Sequence, residues 1–153
     1  MHRLQALCTY IDGCFDGLEK TQARSFVYAH IHAVTMLSVQ IARKRGLDAE
    51  LLAAAARLHD VHTLLTLESE NHGPKGAALA EAILQEQGGW SAAEIAAICG
   101  AIACHSEKER NHDPLTDALI DADVLEHCLQ RFPGPLIAKE EARWAKLQKE
   151  FGL

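Results

Sequence analysis

The residues with the most chemistry in this sequence are its nine histidines, two of them directly followed by aspartate. The stretch "LLAAAARLHDVHTLL" (51–65) is Leu and Ala almost throughout until it reaches His59-Asp60. A buried carboxylate costs several kcal/mol unless a partner, a cation or a metal compensates it. A second stripe, Phe26, His30, Val34, Leu37, Ile41, has intervals of 4, 4, 3 and 4, so His30 shares the apolar face of a helix. His32 lies about 200° around from it. A third stripe, Ile95, Ile98, Ile102, His105, again ends on an imidazole, and "LTDALIDADVLEHCL" carries Asp121 and Asp123 among apolar residues. One such histidine alone reads as a core residue bonded to a backbone carbonyl. Imidazoles and carboxylates directed inward from several helices are the donor set of a hard or borderline divalent cation.

The elements that must position these groups are helical. Ala and Leu dominate, aromatic residues make up only 5% of the chain, and β-branched runs are scarce. The pattern predicts helices over about 3–15, 23–44, 48–64, 74–87, 91–105, 115–131 and 135–150. Gly46 should stop the second and Asp48 cap the third. Pro74 marks the start of the fourth, and Ser91 with Glu94 has capping-box spacing. The expected architecture is all-α: one bundle-like domain of six to seven helices spanning 1–153, without internal repeat or low-complexity linker.

The ordered set of polar residues resembles the HD superfamily of metal-dependent phosphohydrolases. The family pattern is a histidine on one helix, an adjacent His-Asp ending the next, and an Asp on a late helix. These match His30 in "YAHIHAV", His59-Asp60 in "RLHDVH" and Asp123 in "LIDADVLEH". Binuclear members add two histidines between them, where His72 and His105 fall. The resemblance spans about 24–127 and implies one or two divalent ions (Mn, Fe, Ni, Co, Zn or Mg). His30, His59, Asp60 and Asp123 would hold the first, and His72 and His105 the second, with Asp60 bridging. His59 and Asp60 would thereby be the catalytic pair, and a metal-activated water would attack phosphorus. Periodicity leaves Asp121 open as an alternative to Asp123; the family pattern selects Asp123. The chain reads "HDVHTLL" after its His-Asp and has no Gly-Tyr-Pro, so cleavage of cyclic dinucleotides is not expected.

The implied substrate is a small phosphate ester, a nucleotide among the candidates. Lys75 at a helix start, Lys108 and Arg110 after His105, and Arg24 and Tyr28 before His30 are candidate substrate contacts. His62 could join the site, whereas His112 and His127 read as structural or exposed. Two other readings share these residues: a di-iron oxygenase of the same superfamily, and a non-catalytic metal- or nucleotide-binding regulatory module. The net charge of −6 argues against a nucleic-acid polymer as partner. No stretch of about 20 unbroken apolar residues predicts a membrane span, and the start is unlike a signal peptide. A cytoplasmic setting with five reduced cysteines is expected. Apolar residues on the terminal helices would allow a homodimer.

Overall fold

The computed structural model describes residues 2–153. Among them the chain folds as α1 (Arg3–Asp16), α2 (Gln22–Arg45), α3 (Ala49–Leu58), α4 (Val61–Thr66), α5 (His72–Gln87), α6 (Ala92–Cys104), α7 (Pro114–Arg131), a 3-10 turn (Ala138–Glu140) and α8 (Glu141–Phe151). No strand is present among the described residues. The anticipated punctuation is in place. The Asp48 carboxylate accepts from the Glu50 and Leu51 amides, Ser91 and Glu94 form a reciprocal capping box, and Gly46 closes α2 with φ 67°.

The centre of the bundle is α3. Its run Leu52 to Ala56 is fully buried, as is Leu58, because α3 touches α1, α2, α5, α6 and α7. Four consecutive alanines let those neighbours approach a helix that is covered on every side. By length and composition α2 could cross a bilayer, yet it packs along α3 and α7 within the bundle.

Three boundaries differ from the sequence pattern, and each bears on the polar cluster. The segment expected as one helix over 48–64 breaks at His59-Asp60, where Asp60 takes φ −112°, ψ 20°. That conformation lies in the sparsely populated bridge region where many active-site residues sit. Helix α5 begins at His72 rather than Pro74, launched from Asn71 at φ 52°; Pro74, third in the helix, lacks an amide that would be unpaired there anyway. The last helix starts at Glu141, not 135, because the chain turns at 132–134 and residues 135–137 stay outside any helix, with prolines at 133 and 135.

The α5–α6 contact is close at Gly73, where an added Cβ would stand 2.8 Å from the Ala103 carbonyl oxygen and 3.3 Å from that of Ile102. Gly→Ala inside a helix ordinarily stabilises by about 1 kcal/mol. Here the clash is with backbone, so Gly73→Ala is expected to destabilise by about 1–2 kcal/mol, read as a lowered denaturation midpoint with unchanged m-value.

Candidate metal centre

The break after α3 places His59 at the end of one helix and Asp60 at the start of the next, both facing α2, α5, α6 and α7. From α2 comes His30, 5% exposed; from α5, His72; from the end of α6, His105, 2% exposed; from α7, Asp123, 4% exposed. The spacing of the donors is informative. Two ligands about 2.1 Å from one ion at tetrahedral or right angles stand roughly 3.0–3.4 Å apart. His30 Nε2 lies 3.1 Å from His59 Nε2 and 3.2 Å from Asp123 Oδ1. Asp60 Oδ2 lies 3.6 Å from His59 Nε2 and 3.7 Å from His30 Nε2. On the other side, His72 Nε2 lies 3.0 Å from His105 Nε2 and 3.4 Å from Asp60 Oδ1. The two oxygens of Asp60 thus face two separate pairs of imidazoles.

Each of the four imidazoles is oriented through its other nitrogen. Nδ1 of His30 donates to Glu126 at 2.7 Å, and Nδ1 of His59 to the Ala56 carbonyl at 2.7 Å. Likewise His72 donates to Ser69 O at 2.8 Å and His105 to Ile102 O at 2.6 Å. All four acceptors are carbonyl or carboxylate oxygens, so Nδ1 carries the proton and Nε2 is directed at the cluster. This is the orientation that metal-binding histidines characteristically adopt.

Two buried oxygens inside the cluster, Asp60 Oδ1 and Asp123 Oδ1, have no hydrogen-bond partner. Imidazole nitrogens crowd around them without being aligned to donate. Native interiors rarely leave such atoms unmatched, and a cation between the donors would match them. The residues therefore fit a divalent ion at His30, His59 and Asp60, with Asp123 Oδ1 3.2 Å from His30 Nε2 beside them, and a second at Asp60, His72 and His105.

Electrostatics follow the same lines. Burial would lower the His30 pKa, but Asp123 and Glu126 outweigh it and push it up to about 10; a cation at its Nε2 must displace a proton. Burial dominates at His59 and pushes its pKa down to about 4. Burial would raise Asp123, yet the Lys108 ammonium, then His30, hold it well below the usual carboxylate range. Asp60 is also lowered: burial is overcome by His59 and His105.

A cavity of about 230 Å³ opens onto this cluster, lined by Asp60, His72, His105, Lys108, Asp123 and His127 among others. Of the candidate substrate contacts, Lys108 lies here, 5% exposed with its ammonium on Asp123. The others do not. Arg24 spends its guanidinium on the carbonyls of Glu19, Leu64 and Leu65, tying α2 to α4. Tyr28 donates to Asp12 and stacks on Phe15. Lys75 pairs with Glu68 at 3.5 Å, outside the cavity. Arg110 leans on Glu107 and lines a neighbouring cleft. Asp121 is engaged by Arg45 and Arg143, and His62 faces Thr66.

One histidine set aside in the sequence does belong to the cavity. His127 Nε2 stands 3.4 Å from Asp123 Oδ1, and its Nδ1 donates to the buried Glu140 at 2.8 Å. Its position one helical turn after Asp123 was the available signal. Ile137, Lys139 and Glu140 also line the cavity; they come from a segment with no motif.

No curated protein and no solved structure matches the chain. The family model described as the HD domain matches residues 27–128. That interval contains the whole ordered series from His30 through His59-Asp60, His72 and His105 to Asp123, and on this match the chain belongs to the HD domain family.

Proposed function

We propose that this chain is a metal-dependent phosphohydrolase acting on a small phosphate ester, with nucleotides among the candidates, in a reducing cytoplasmic setting that suits its free cysteines. The observation that carries the reading is Asp60: one carboxylate whose two oxygens each face a separate pair of oriented imidazoles. A cation held there supplies Lewis acidity, acidifying water and offsetting charge that gathers on the phosphoryl oxygens. Residues of the chain do the rest. Asp60 on the cavity wall and the fully buried His59 next to it would fix the reacting centre. Lys108 and Lys139 place positive charge on its wall, where phosphoryl oxygens would lie. His127, locked by Glu140, presents Nε2 to the same space and can hold a proton near a leaving group. At about 230 Å³ the cavity falls below the roughly 300–1,000 Å³ of drug-sized ligand sites, so by itself it has room for little beyond the reacting phosphate.

Protein purified without chelator should carry one or two equivalents of a divalent metal by elemental analysis. It should release inorganic phosphate from members of a panel of phosphate monoesters and diesters, lose that activity with a chelator, and regain it with Mn or Fe. Loaded protein that hydrolyses none of the panel would overturn the assignment, and iron-dependent oxygen consumption would replace it with an oxygenase.

A further inference from the structure

A second cavity, about 240 Å³, adjoins the first and shares Lys108 and Lys139 with it. Its walls are the 108–111 loop and one face of the 3-10 turn and α8. Lys108, Arg110, Asn111, Lys139, Arg143 and Lys146 contribute, with Glu109 the only acidic lining residue. Ala138 and Ala142 leave the space between them open. In a chain of net charge −6 this is a marked local concentration of cations.

Their roles differ. Arg143, 9% exposed, is spent on structure: it donates to the Lys108 carbonyl at 2.7 Å, to Asp121 at 2.8 Å, to Asp117 at 2.9 Å, and to the Arg110 carbonyl. It thereby pins the loop wall against α8, so the cleft is built and not a chance gap between side chains. Lys108 is committed to Asp123, and Arg110 to Glu107. Lys139 on the 3-10 turn and Lys146 on α8 both line the cleft and have no carboxylate partner among the described residues. Two unpaired ammonium groups around one polar recess, with the Asn111 amide beside them, match a phosphate dianion.

Resting on the phosphohydrolase reading, we propose that the substrate carries two separated phosphate groups: one at the metal centre, the other in this cleft on Lys139 and Lys146. The molecule would run past Lys108 and Lys139, the residues common to both cavities.

The test is calorimetric titration of the metal-loaded protein with alkane α,ω-bisphosphonates of increasing chain length, against the matching alkyl monophosphonates. Their C–P bonds are not phosphate esters, so binding is read without hydrolysis. A bisphosphonate of suitable length is expected to bind roughly tenfold tighter than its monophosphonate, with the advantage shrinking at high salt. Lys146→Glu, an exposed change outside the metal-centre cavity, should erase that advantage. Lys44→Glu, the same charge change on α2, should preserve it. Equal affinities at every length, or an advantage that survives Lys146→Glu, would overturn the proposal. Phosphate release from simple esters without any bisphosphonate advantage would refute the cleft and keep the hydrolase. The advantage without hydrolysis of any ester would keep the cleft and refute the hydrolase.

Discussion

Asp60→Asn is expected to abolish stoichiometric metal binding while leaving the metal-free fold nearly as stable as the parent. Asp60 is the one residue common to both imidazole pairs, with Oδ2 near His30 and His59 and Oδ1 near His72 and His105. Loss of a group that merely orients a ligand costs about 10–100-fold in metal affinity, so loss of the shared ligand itself should cost more than about 100-fold. The metal-free protein responds differently. Removing one partner of a buried ion pair is destructive when it strands the other charge, but His59 beside Asp60 is already held neutral by burial, and His30 keeps Asp123 and Glu126 as partners. The change in metal-free stability should therefore stay within about 1 kcal/mol. The parent should gain about 2.7 kcal/mol when metal is present at a hundred times its Kd, and Asp60→Asn should gain none. Thermal unfolding of both proteins with and without metal reads all four states. A substitution that costs 3 kcal/mol or more in both conditions would mean that the cluster is a satisfied polar core.

The sequence carried the cluster further than it carried the backbone around it. His30 and His105 ended up facing inward because each lies on an apolar stripe whose period is that of a helix, His30 within its stripe and His105 at the end of its own, although Phe26, which opens the first, is exposed. The break at His59-Asp60 had no local signal. Neither Gly nor Pro marks it, and the Leu and Ala before it propagate a helix readily; the interruption belongs to the tertiary packing of α3 and α4 against the site. The 3-10 turn was equally silent, so Lys139 and Glu140 entered the cavity unannounced. Arg24 and Tyr28 misled for a related reason. Sequence distance from His30 placed them near it along α2, but a helix sends neighbours a turn or two apart to different faces, and theirs pack on α4 and α1. Lys108 was recognisable as a cation near His105, but not as a buried partner of Asp123.

That last contact yields the other large effect. Lys108→Met should destabilise the metal-free protein by about 3 kcal/mol, because it leaves the buried Asp123 carboxylate without its principal compensating cation. A divalent ion held by Asp123 Oδ1 and His30 Nε2 would compensate the same charge, so metal should restore a large part of the loss. The thermodynamic cycle then fixes the sign of a second measurement: whatever stability metal restores must appear as tighter metal binding in the variant, tenfold for each 1.4 kcal/mol or so. Removal of the ammonium from beside the ion acts in the same direction. A gain of at least about tenfold in metal affinity is therefore expected from a substitution that weakens the fold. Catalysis should move oppositely, with kcat/KM for a phosphate ester falling by about 10²-fold as the cavity loses a cation that faces the phosphoryl oxygens. Tighter metal with weaker catalysis would separate Lys108 from the ligands, whose loss weakens both. Metal affinity unchanged in Lys108→Met, alongside the stability loss, would show that the ion does not lie against Asp123 and that the Lys108–Asp123 pair is structural.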